Sequence, residues 1–88
     1  MAKSPSEEPT MHVVARTPFH LHFDGQATVL SAENKVGQFD ILPGHADFFS
    51  VLNPGEVTVG TKGQPVTFTI ENGILTARGD EVYLFADM

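Results

Sequence analysis

The side chains best equipped for chemistry in this 88-residue chain are four histidines, His12, His20, His22 and His45. His20 and His22 stand two residues apart, which puts both imidazoles on one face of an extended strand. Two imidazoles can begin a metal site, but they need a third ligand. Barrels that build a metal site on a His-x-His strand take a glutamate a few residues downstream, where this chain has Asp24, Gly25 and Gln26. The expectation is a solvated polar face and no metal ligand. Catalytic groupings are poorer still. There is no cysteine nucleophile and no serine in a G-x-S-x-G elbow. The carboxylate pairs Glu7-Glu8 and Asp80-Glu81 fall in a polar arm and after a turn, where they read as solvated charges and not as an acid/base pair. Arg78-Gly79-Asp80 spells an adhesion tripeptide, yet a Gly-Asp step between two strands is what a hairpin needs anyway. No Gly-rich turn is followed by a lysine and a helix, so no phosphate cradle is expected. The chain reads as having no catalytic residue and no cofactor.

The elements that carry these residues follow from composition and spacing. Eleven Asp and Glu against five Lys and Arg give a net charge of -6, which opposes binding to nucleic acid and to anionic lipid. No apolar run approaches the roughly 20 residues of a membrane span, so no direct lipid insertion is expected. Residues 1–10 lack the apolar centre of a signal peptide, and the expected setting is cytosolic. With no cysteine, stability must come from packing and strand pairing. At 9.5 kDa the chain is one domain with a modest core.

Residues 1–10, MAKSPSEEPT, cannot bury enough apolar surface to offset their ordering entropy, and are expected to form a disordered arm. Residues 11–88 change texture to short apolar runs broken by Thr17-Pro18, Asp24-Gly25, Pro43-Gly44, Pro54-Gly55, Lys62-Gly63, Asn72-Gly73 and Gly79-Asp80. This pattern predicts an all-β domain with strands at 11–16, 19–23, 26–32, 37–41, 47–52, 56–60, 65–71, 74–78 and 81–86. Residues 46–52 are the one stretch where a short helix competes. Asn72-Gly73 suits a two-residue type I′ hairpin. Alternation places Phe19, Leu21 and Phe23 on one face and His20 and His22 on the other, and sets Val66, Phe68 and Ile70 against Thr67, Thr69 and Glu71. The apolar members should build the core. Both faces of Val82-Tyr83-Leu84-Phe85-Ala86 are apolar, which argues for a central strand or for an outer face covered by another chain. So many short strands should fold into two packed sheets.

One segment resists a purely structural reading. In Gly37-Gln38-Phe39-Asp40-Ile41-Leu42-Pro43-Gly44-His45-Ala46-Asp47-Phe48-Phe49, Ile41, Leu42, Phe48 and Phe49 crowd around a Pro-Gly turn. Part of that is core, but so much apolar area at a sheet edge also marks a partner surface.

Five landmarks now align in order: Phe23-Asp24-Gly25, the run from Gly37 to Ala46, Leu52-Asn53-Pro54-Gly55-Glu56, Asn72-Gly73-Ile74-Leu75, and Val82-Tyr83-Leu84-Phe85-Ala86-Asp87. Together they resemble the N-terminal domain of the epsilon subunit of F-type ATP synthases, from about Met11 to Met88. The resemblance implies a β-sandwich of two five-stranded sheets in a non-catalytic rotor subunit of the central stalk. That subunit links gamma to the c ring and couples ion transport to ATP synthesis at the cytoplasmic face of the cell membrane. Carried over by position, Asn34, Lys35, Val36, Gly37, Gln38, Phe39 and Asp40 would face the c-subunit ring. Thr17, His45, Phe48, Phe49 and Ser50 would face the gamma subunit. The chain departs from the family at Gln38, where glutamate is frequent, at Asp40, usually glycine, and at Asp47, usually proline. The family's C-terminal helical domain, which follows the Ala-Asp step near Asp87, is not in this sequence, so its regulatory role is not expected. The alternative is a free-standing β-sandwich that binds a peptide or a carbohydrate.

Overall fold

The computed structural model describes residues 9–88, and the expected disordered arm falls outside them as far as residue 8. The described residues form nine strands: β1 (Met11–Arg16), β2 (Leu21–Ala27), β3 (Val29–Asn34), β4 (Gly37–Ile41), β5 (Phe48–Leu52), β6 (Gly55–Gly60), β7 (Val66–Ile70), β8 (Gly73–Arg78) and β9 (Glu81–Ala86). The competition over residues 46–52 resolves to a strand and not a helix, β5 taking Phe48 to Leu52.

Hydrogen bonding runs β2-β1-β9-β8-β5-β3-β6-β7, with β4 beside β3. The junction between β5 and β3 rests on a single pair, Asn34 with Leu52, so the path folds there into two layers. One layer is β2-β1-β9-β8-β5 and the other is β4-β3-β6-β7, giving the expected sandwich five and four strands among the described residues. β1 and β9 pair in parallel; the other strand pairs are antiparallel.

Period-two alternation supplies the core. Met11, Val13 and Ala15 of β1, Val82, Leu84 and Ala86 of β9, and Leu75 and Ala77 of β8 point inward from one layer. Leu30 and Ala32 of β3, Val57 and Val59 of β6, and Ile70 of β7 meet them from the other. Phe23, Phe39, Phe48, Val66 and Phe68 close the margins. β9 lies between β1 and β8, the central position that its apolar composition predicted.

Three local expectations are overturned. Asp24-Gly25 is not a turn: both residues lie inside β2, opposite Val14 and Val13. The reversal comes earlier, where the Thr17 hydroxyl accepts from the amides of Phe19 (3.3 Å) and His20 (3.0 Å), and the Thr17 amide donates to the His20 carbonyl. Asn72-Gly73 is not a hairpin, because β7 pairs with β6 while β8 pairs with β5 and β9. It carries the chain from one layer to the other, as Thr28 does between β2 and β3.

The third concerns Phe19 and Leu21, which do not join the core. Phe19 projects from the Thr17 turn at 99 % exposure. The β1–β2 register jumps from Ala15 opposite Phe23 to Arg16 opposite Leu21. The extra residue, His22, bulges, and the bulge turns Leu21 to the outer face beside Arg16.

Candidate functional site: the outer face of the five-stranded layer

The same alternation that fills the core leaves a second set of apolar side chains outside. Phe49 and Val51 on β5 are each 63 % exposed, and Ile74 on β8 is 42 % exposed. Tyr83 and Phe85 on β9 follow at 37 % each. Register arranges them in rows across the layer. Val51, Ile74, Phe85, Arg16 and Leu21 make one row, and Phe49, Thr76, Tyr83 and Val14 make the next, running on to Asp24. The rings of Tyr83 and Phe85 stack within 5° of parallel, with centroids 6.4 Å apart. An apolar patch of this kind, bordered by a charged row, is the type of surface that protein partners cover.

The third row is polar. Arg78 lies opposite Glu81, and Glu81 opposite His12. His12 Nε2 is 2.8 Å from Asp24 Oδ1 and its Nδ1 is 3.1 Å from Glu81 Oε1. The Tyr83 hydroxyl donates to the same Glu81 oxygen at 3.0 Å. At the far end, Arg78 Nε stands 3.8 Å from Asp47 Oδ2. Charge thus alternates across the layer from Asp47 through Arg78, Glu81 and His12 to Asp24. Hydrogen bonds to Asp24 and then to Glu81 raise the His12 pKa above its ordinary value. Hydrogen bonds from Tyr83 and then His12 lower that of Glu81, and the bond to Glu81 raises that of the Tyr83 phenol.

A second feature is the β3–β4 hairpin at one end of the sandwich. The Asn34 side-chain oxygen accepts from the amides of Val36 (2.9 Å) and Gly37 (3.3 Å), and Gly37 takes a φ of 140° that other residues avoid. Asn34 also donates to the Ser50 hydroxyl at 3.0 Å, while Asn53 reaches the carbonyls of Asn34 and Glu33. The turn is therefore braced from β5. Lys35 and Val36 form its exposed tip, Gln38 is exposed on β4, and Asp40 accepts from the Ser31 hydroxyl at 2.7 Å. Phe39 points inward, its ring 5.4 Å from that of Phe48.

The five residues expected to face gamma are not brought together. Phe49 points out into the patch, whereas its neighbours Phe48 and Ser50 point in, as strand alternation requires. Phe48 packs against the core and Ser50 is buried, so neither is open to a partner on the outer face. Thr17 lies past the end of β1, and His45 lies at the opposite end of the layer, in the loop whose Gly44 amide donates to Asp80. His45 Nδ1 is 2.8 Å from the Ala46 carbonyl. Sequence reasoning weighed His12 only as a metal ligand and Ile74 only as a landmark, did not single out Val14 or Val51, and left an outer-face role for Tyr83 and Phe85 as one of two readings. The signal available for the last two was the double-sided apolar character of residues 82–86.

His20 and His22 do come together, with ring centroids 4.8 Å apart, but His22 stacks on Phe68 at 4.2 Å and burial lowers its pKa. Among the described residues, no group of three His, Cys, Asp or Glu side chains is placed to hold a metal ion.

Residues 10–88 match the family model of the ATP synthase delta/epsilon chain β-sandwich domain. The ATP synthase epsilon chain of Trichlorobacter lovleyi is 31% identical over 71 residues, 81% of this chain and 51% of that one. Epsilon chain 1 of Methylococcus capsulatus is 40% identical over 67 residues, 75% of this chain and 48% of that one. The chain spans about half the length of the curated relatives it matches. Among solved structures, a chain of the Tetrahymena thermophila mitochondrial ATP synthase central stalk and c ring superposes with a TM-score of 0.77 at 16% identity, covering 89% of this chain and 63% of that one. A chain of the Euglena gracilis mitochondrial enzyme gives 0.81 at 15% identity, covering 97% and 56%. At such identities the superpositions speak to the fold.

Proposed function

The chain belongs to the ATP synthase delta/epsilon chain β-sandwich family, and from that premise we propose that it is a non-catalytic central-stalk domain of an F-type ATP synthase. In this reading it links the gamma subunit to the c ring, couples ion transport to ATP synthesis, and resides at the cytoplasmic face of the cell membrane as a peripheral subunit. The observation that carries the reading is the apolar patch on the outer face of the five-stranded layer. Val51, Ile74 and Phe85 in one row and Phe49 and Tyr83 in the next leave water only when another chain covers them. We assign gamma to this face and the c ring to the braced hairpin tip at Lys35 and Val36.

A rotor connector makes and breaks no covalent bond. Its task is to carry torque without yielding. Shear between the two contacts is resisted by the strand ladders and by a close-packed core that deforms little. The side-chain bonds from Asn34 to Ser50 and from Asn53 to Asn34 tie the tip hairpin to the layer that carries the patch. A load entering at the tip is thereby passed to β5, whose outward Phe49 and Val51 belong to the gamma contact.

The test is co-elution of the chain with purified gamma subunit in size-exclusion chromatography. A complex is expected at about 10 μM of each partner, a concentration that detects micromolar affinity. Ile74→Asp, which places a charge in the middle of the patch, should abolish the complex and leave the β-type circular dichroism unchanged. Failure of the unaltered chain to co-elute overturns the reading. Retention by the Ile74→Asp variant would move the gamma contact elsewhere on the surface.

A further inference from the structure

His12 lies in the polar row that borders the apolar patch, and each of its ring nitrogens faces a carboxylate oxygen, at 2.8 Å and 3.1 Å. A neutral imidazole has one N–H and can donate to only one of them. The arrangement is satisfied on both sides only by the imidazolium, which holds two carboxylates from two different strands, Asp24 on β2 and Glu81 on β9. Glu81 Oε1 is also the acceptor of the Tyr83 hydroxyl, and Tyr83 stacks on Phe85 in the patch. One proton is therefore connected, through one carboxylate oxygen, to the orientation of an aromatic ring in the docking face.

We propose that His12 is a positioning residue of this face: as an imidazolium it fixes Glu81, and through Glu81 the Tyr83 ring, so that docking of the partner weakens as His12 loses its proton. The inference rests on the assignment of gamma to this face.

The groups facing His12 are Asp24 on β2 and Glu81 and Tyr83 on β9, with Arg78 of β8 beyond Glu81 in the same row. The backbone amide of His12 donates to the Asp80 carbonyl at 2.7 Å, which keeps the strand in place whichever form the ring takes. With His12 neutral, one of the two carboxylates loses the histidine N–H and the charge alternation across the layer is interrupted. The His12 pKa is raised above 6.5, so its contribution is complete below that ordinary value and is lost as pH rises through the raised one. Glu81 is lowered from 4.5, so its contribution is present above that value and is lost as pH falls through the lowered one. The network is whole in the window between the carboxylate and the histidine titrations.

The test has two arms on the full chain. In the first, imidazole carbon shifts of His12 and ring-proton shifts of Tyr83 are followed by NMR across the histidine range. The expected result is one shared midpoint, higher than that of His22, which burial lowers. Tyr83 shifts that ignore the His12 midpoint overturn the proposal. In the second arm, gamma affinity is measured between about pH 6 and pH 8, the range in which histidines titrate. Affinity should fall by up to about tenfold on going up in pH, the size of one ordinary hydrogen bond. His12→Gln should give a flat profile at the weaker level. Parallel profiles for the two proteins overturn the proposal while leaving the functional reading intact. Absence of gamma binding by the unaltered chain at every pH overturns both.

Discussion

Phe48 and Phe49 are adjacent in sequence, chemically identical, and opposite in consequence. Phe49 is 63 % exposed on the outer face, while Phe48 packs against the core and lies 5.4 Å from the Phe39 ring. Truncating a fully buried phenylalanine costs about 3–5 kcal/mol. Phe48 is only partly buried, so about half of that, near 2 kcal/mol, is expected for Phe48→Ala, including the loss of its aromatic neighbour. In a domain of this size each kcal/mol moves the melting temperature by about 4–8 °C, so Phe48→Ala should melt about 8–16 °C lower. Phe49→Ala removes surface that water already reaches and should cost less than about 0.5 kcal/mol, a shift of a few degrees at most. Binding should respond in the reverse order. As an anchor in the patch, Phe49 should be worth about 2 kcal/mol against gamma, roughly a thirtyfold loss of affinity on truncation. Thermal melts by circular dichroism and titration calorimetry with gamma separate the two quantities. Equal melting shifts for the two variants would refute the assigned facing of β5. A Phe49→Ala protein that binds gamma as tightly as the parent would remove Phe49 from the contact.

Leu84 is fully buried on the central strand β9, so Leu84→Ala should lower stability by about 2–5 kcal/mol in urea titrations, with the slope of the transition unchanged. Asp87 holds a φ of 53° and its carboxylate accepts from the amides of Glu71 (2.7 Å) and Asn72 (3.3 Å) at the layer crossing. Asp87→Ala should cost about 1–2 kcal/mol by chemical denaturation, and Asp87→Asn, which keeps an acceptor and tolerates that backbone, clearly less. Lys35 is the one cation among residues 34–40, so affinity for an isolated c ring should change less than about threefold between low and moderate salt. A steep decline measured by surface plasmon resonance would show that the tip contact is ionic.

Much of the fold was legible because strand signals are local. Val66, Phe68 and Ile70 alternate with polar partners, so strand identity and the buried face could be read without partners, whereas residues 82–86, apolar on both faces, showed strand identity alone. Which strand pairs with which is a non-local matter. Asn72-Gly73 carries the turn chemistry of a hairpin, yet the flanking strands pair in different layers, β7 with β6 and β8 with β5 and β9, and tertiary pairing overrides the local preference. The site was legible to a lesser degree for the same reason. His12 and Glu81 are 69 residues apart and meet only because β1 and β9 pair in parallel, a contact for which neither residue carries a local signal.

The bulge at His22 shows how a single residue decides the composition of the outer face. Strict alternation from Phe23 would send Leu21 into the core, and that is the natural reading of Phe19-His20-Leu21-His22-Phe23. The inserted residue reverses the sense of everything before it, so Leu21 emerges beside Arg16 as the end of the row that begins with Val51, Ile74 and Phe85. It also sets His22 against Phe68 of β7, where the two edge strands of the sandwich approach each other. The displacement that extends the apolar row on the outside thus supplies a ring to close the seam on the inside. A period-two reading is correct on either side of such a bulge and wrong across it, which is why Phe23 packs against the core as expected and Leu21 does not.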